Sequence, residues 1–141
     1  MRAGPILIAL CLAACSADRA GWARRGGFWK LLETPSLQVR RGPQGLDPRT
    51  GEIVLPWCGA RAPDGEPAIL ACELAVFDDR NGDGRPDPGE VLRTRESAFP
   101  TTKVLFDDVR ARPTPGSRLR VRLKVRTDEE ETVVGWALAV D

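Results

Sequence analysis

The sequence contains no histidine and no tyrosine, and a single methionine, Met1. The absence of histidine removes the side chain that most often acts as a general base and most often ligates zinc. Long apolar runs are missing too. The apolar stretch Ile6–Ala14 is too short to cross a bilayer as a helix. Charge of one sign is not in excess: the formal net charge is +1, so no global field draws the chain to nucleic acid or to a membrane surface. The carboxylates cluster in one loop and in turns, and nothing pairs them across a cleft for glycoside hydrolysis. These absences together predict a protein that is not an enzyme.

What is abundant is turn chemistry. Fourteen glycines and twelve prolines favour short strands and tight connections over long helices. A hydrophobic fraction of 42% and a charged fraction of 29% are those of a globular chain, and the length suggests one domain.

The N-terminus reads as an export signal. Arg2 supplies a positive start, Ile6–Ala14 an apolar core, and Leu12-Ala13-Ala14-Cys15 follows. This segment resembles the lipobox of bacterial lipoproteins. The resemblance implies cleavage before Cys15, acylation of its thiol and amine, and stable anchoring, since each buried methylene contributes about 0.8 kcal/mol. Residues 1–14 are then signal peptide, 15–27 a lipidated tether rich in glycine, and 28–141 the folded domain. Ser16 follows the cysteine where inner-membrane retention in enterobacterial lipoproteins uses aspartate. A cell with two membranes would therefore be expected to carry the protein on the outer one. The aromatics Trp22, Phe28 and Trp29 either sit at the membrane interface or begin the fold.

Along the body, alternation predicts strands at Leu37–Arg40, Ile53–Trp57 (ending near Pro56), Ile69–Phe77, Val91–Ser97, Lys103–Phe106, Arg118–Arg126 and Thr132–Val140. Arg118–Arg126 is the clearest, with Leu119, Val121, Leu123 and Val125 on one face. The expected fold is all-β, a small Ig-like β-sandwich of about seven strands. Trp57 and Trp136 are expected in its core.

The strongest motif is Asp79-Arg80-Asn81-Gly82-Asp83-Gly84-Arg85-Pro86-Asp87-Pro88-Gly89-Glu90, which matches the D-x-[DN]-x-[DN]-G-x5-E calcium loop at every defined position. Calcium takes six to eight hard oxygens at roughly 2.3–2.6 Å. Asp79, Asn81 and Asp83 alternate so that their oxygens converge, and Gly84 permits the sharp turn. The Arg85 carbonyl, Asp87 (directly or through water) and both oxygens of Glu90 complete the set. The loop resembles EF-hand-type loops such as those of dockerins and surface-adhesin B repeats. Its flanks are β-like where EF-hands have helices, and Pro86 lacks the N–H that paired EF-hands use to bridge. A solitary structural site follows, with affinity on the order of 10⁻⁴–10⁻³ M.

Two further features complete the reading. Cys58 and Cys72 remain after the leader cysteines and, in an exported chain, are expected to form a disulfide contributing about 3 kcal/mol. Arg118, Arg120, Arg122, Lys124 and Arg126 form a basic stripe on one strand face, which is either a solvated surface or a contact for an anionic polymer or envelope protein. The function expected is a non-catalytic, calcium-stabilised binding or structural module of the cell envelope. The alternative is an accessory subunit that docks through the stripe.

Overall fold

Alternating apolar residues need an apolar layer to face, and two sheets supply it to each other. The computed structural model describes residues 29–65 and 68–141. Over these it is all-β, a sandwich of two antiparallel sheets. Nine strands are described where about seven were expected: β1 (Trp29–Glu33), β2 (Gln38–Arg41), β3 (Gly45–Leu46), β4 (Ile53–Arg61), β5 (Ile69–Asp78), β6 (Val91–Ser97), β7 (Lys103–Ala111), β8 (Leu119–Thr127) and β9 (Glu131–Ala137). The surplus lies in β1 and β3, where the sequence shows no period. The signal peptide, Cys15, the tether, Trp22 and Phe28 lie outside the described residues.

The first sheet centres on β4. Strand β7 pairs along its whole length on one edge, from Ile53↔Ala111 to Arg61↔Lys103. Strands β2 and β3 share the other edge, with β1 outside β2. The second sheet runs β6-β5-β8-β9. Between them lies the core, with Val39, Leu55, Ile69, Leu74, Val76, Val109, Val121, Leu123 and Val125 fully buried.

Three departures from simple alternation have local causes. Strand β4 does not end near Pro56. Proline lacks a ladder donor, but Pro56 falls between the residues of β4 paired by β2 and by β3, so that edge needs no bond from it. On the other edge it lies opposite Asp108, the one non-glycine residue with positive φ among those described (53°). In β5 a bulge between Ile69 and Ala71 turns Ile69 rather than Leu70 into the core. Beyond β9, Leu138 is buried while Val140 is exposed, because the strand ends at Ala137. Trp136 joins the core as expected. Trp57 is buried outside that cluster, with its indole against Gly42.

A buried amide ties the two sheets at one end. Gln44 Oε1 accepts the Trp136 indole N–H at 3.0 Å, and Gln44 Nε2 donates to the carbonyls of Ala139 (2.6 Å) and Ala137 (3.3 Å). Removing one partner of a buried hydrogen bond leaves the other desolvated, at about 1–3 kcal/mol per group. Gln44→Ala is therefore expected to destabilise the protein by about 2–3 kcal/mol in urea unfolding, with the m-value unchanged.

Candidate metal centre

The Asp79–Glu90 loop leaves β5 and returns as β6, and it is sewn at both ends. Asp78 N–H donates to the Glu90 carbonyl and Asp79 N–H to the Arg118 carbonyl, each at 2.9 Å. Asp78 does not face the loop interior: its Oδ1 accepts the Arg118 N–H (2.9 Å) and its Oδ2 pairs with Arg80 (3.2 Å). The Arg118 N–H and then the Arg80 guanidinium hold the Asp78 carboxyl below the usual carboxylate range.

Within the loop, backbone N–H groups collect the carboxylates. Asp79 Oδ2 accepts from Gly84 (2.9 Å), and Asp83 Oδ1 accepts from Arg85 (2.8 Å). The two oxygens of Glu90 accept from Arg80 (3.0 Å) and Asp87 (3.2 Å). The Arg85 N–H is the main reason the Asp83 carboxyl sits below its ordinary range. Gly84 turns the chain with φ of 74°, a conformation that favours glycine.

The outcome is a triad. One oxygen from each of Asp79, Asp83 and Glu90 lies within 4.8 Å of the others. Oxygens sharing one calcium ion at about 2.4 Å can stand no further apart than about 4.8 Å, so this spacing admits the ion. Asp79 and Glu90 are buried, while Asp83 opens to solvent and leaves room for water ligands. Asp79 Oδ1 is fully buried and has no hydrogen-bond partner among the described residues. A buried carboxylate oxygen left bare costs free energy unless a cation meets it.

The remaining loop residues are arranged differently. Asn81 accepts the Asp83 N–H at 3.2 Å, and its amide donates to Asp87 Oδ2 at 2.8 Å; Asp87 lies outside the group of three converging oxygens. The Arg85 carbonyl accepts the Asp87 N–H at 2.9 Å. Backbone donors thus gather the loop and counter the repulsion among its acids.

The basic stripe is not a single free surface. Arg120 Nε stands 4.0 Å from Asp79 Oδ2, and Lys124 Nζ stands 3.6 Å from Glu73 Oε1. A Cβ at Gly82 would meet Arg118 Nη1 at 3.1 Å, so the Arg118 guanidinium lies on the loop. Arg122 and Arg126 make no ion pair among the described residues. The roles of Arg118 and Arg120 at the loop, and that of Gln44, are invisible in the sequence because they arise from tertiary pairing.

The expected Cys58–Cys72 disulfide is absent. Both are free, buried thiols, Cys58 on β4 of one sheet and Cys72 on β5 of the other. The exported compartment that the sequence suggests permits a bridge but does not impose one. Burial pushes both thiols up, Cys72 to about 12, so they pack as neutral apolar groups.

No protein-family model, curated protein or solved structure matches this chain. The fold and the loop define its class: a small all-β sandwich whose second sheet carries a carboxylate triad between adjacent strands.

Proposed function

We propose that this protein is a non-catalytic, calcium-stabilised β-sandwich module of the bacterial cell envelope, exported and lipid-anchored through Cys15. Two observations carry the metal half: the carboxylates of Asp79, Asp83 and Glu90 cluster, and the Asp79 carboxylate keeps one oxygen, Oδ1, buried without a partner among the described residues. Asp79, Asp83 and Glu90 would hold the ion, with Asn81, the Arg85 carbonyl, Asp87 and water as the further oxygen donors, and calcium would supply the positive charge that neutralises the triad. Because the loop links β5 to β6 and is bonded to β8, an ion there braces three of the four strands of the second sheet. The lipobox Leu12-Ala13-Ala14-Cys15 supports the envelope half, with the outer membrane favoured in a cell that has two.

Calorimetric titration of the full chain in detergent tests the metal half. One calcium per chain is expected, with Kd on the order of 10⁻⁴–10⁻³ M, and no heat of binding in Asp83→Ala. Labelled palmitate tests the anchor: wild type incorporates it and Cys15→Ser does not. Failure of either measurement removes that half alone.

A further inference from the structure

The acidic loop and the basic strand are separate features of the sequence, with Asp78 and Arg118 forty residues apart. The fold joins them. The side chain of Asp79 is 4% exposed, and the cation nearest it is Arg120, whose Nε is 4.0 Å from Asp79 Oδ2. Arg120 follows Leu119, the register partner of Asp78, so the pairing of β5 with β8 fixes its position beside the loop. Its guanidinium extends over β9, where a Cβ at Gly135 would stand 3.9 Å from Arg120 Nη2.

We propose that Arg120 is the resident counter-ion of the Asp79–Asp83–Glu90 centre, a fixed positive charge that competes with calcium for Asp79 and sets the affinity of the site. This rests on the calcium reading above and deepens it. Two effects act in the same direction. In the metal-free protein Arg120 stabilises the Asp79 carboxylate, so calcium must displace a favourable interaction. In the loaded protein Arg120 stands close to a doubly charged ion, and like charges at that separation repel even through partial solvent screening. Both weaken calcium binding. The Arg120 side chain is 35% exposed, so the combined effect is a modest factor and not an abolition.

Arg122 supplies the internal control. It lies two residues further along β8, on the same face, between Ala75 and Gly135 in the register, and makes no ion pair among the described residues. Its charge is comparable and its contact with the loop is missing.

The test is calcium titration of full-length wild type, Arg120→Gln and Arg122→Gln by calorimetry, at low and at high salt. Arg120→Gln is expected to bind calcium about fivefold more tightly than wild type, with the difference shrinking as salt screens the charge. Arg122→Gln should stay within about twofold, since its charge sits beyond the loop. An unchanged or weaker affinity in Arg120→Gln would overturn the proposal, since a residue that merely props the loop open lowers affinity when removed. If wild type itself binds no calcium, the metal reading fails and takes this inference with it; a wild type that binds, beside an Arg120→Gln that does not improve, sinks the inference alone. Should Arg120→Gln fail to fold, the wild-type Arg120 Nε–H resonance decides. It shifts and exchanges faster with water on calcium addition if the guanidinium leaves Asp79, and a resonance indifferent to calcium refutes the competition.

Discussion

Calcium at about 10 mM is expected to raise the melting temperature of the full chain by about 6–11 °C over the same protein in chelator. At ten to a hundred times Kd, a ligand that binds only the native state contributes about 1.4–2.7 kcal/mol. A domain of this size melts about 4 °C higher for each kcal/mol. The variant that reports most is Asp79→Asn. It removes the charge calcium needs, so the thermal gain disappears. Its effect without calcium runs the other way. The native carboxylate has one oxygen, Oδ1, buried with no partner, while Oδ2 accepts the Gly84 N–H. An asparagine keeps an acceptor for Gly84 and offers its amide to the neighbouring carboxylates of Asp83 and Glu90. In chelator, Asp79→Asn is therefore expected to melt at or above wild type. Stability sacrificed at a functional group and regained by neutralising it is the mark of a binding site. A variant that melts several degrees lower in chelator, with calcium inert in wild type, would make Asp79 an ordinary turn-stabilising residue.

The parts of this molecule that could be read from its sequence are those in which a short-range rule fixes the answer. Strand β8 was legible because Leu119, Val121, Leu123 and Val125 alternate with five cations, and only a half-buried strand places such residues on opposite faces. The convergence of Asp79, Asp83 and Glu90 was legible because the motif spaces its acids along one tight loop, and those three carboxylates do come together. Strand β4 was cut short because proline is a breaker locally, whereas the tolerance of Pro56 depends on where two other strands end. Ile69 and Leu70 exchanged places because a bulge shifts side-chain phase by one residue, and nothing in an apolar run marks a bulge. The cysteine pairing failed for a different reason. A compartment argument says that a bridge is permitted, and it cannot say that two buried thiols on facing sheets are joined. Arg120 was classed with its strand neighbours, since its partner Asp79 is supplied by the pairing of β8 with β5.

Gly59→Ala is expected to be the most damaging single methyl group in the protein, lowering the melting temperature by about 12–20 °C. Gly59 lies in the middle of β4, paired with Leu105 of β7 on one side and Arg40 of β2 on the other. A Cβ at this position would stand 2.2 Å from the Val104 carbonyl oxygen, and 3.2 and 3.3 Å from Val104 C and Leu105 Cα. All three atoms are backbone, so no side chain can swing aside. Relief requires β7 to move away from β4, which opens ladder hydrogen bonds next to fully buried Cys58 and Ala60. Overpacking of this kind costs about 1–3 kcal/mol, and weakened ladder bonds add about 1 kcal/mol each, for a total of about 3–5 kcal/mol. That is a large share of the few kcal/mol by which small domains are stable. Gly45→Ala is the matched control: the same atom is added in a strand of the same sheet, and nothing lies within 4 Å of the new methyl. It is expected to shift the melting temperature by less than about 2 °C, a surface substitution in all but name. Equal melting temperatures for the two variants would mean that β4 and β7 slide apart freely at Gly59. The centre of the first sheet would then be far softer than its eight residue pairs indicate.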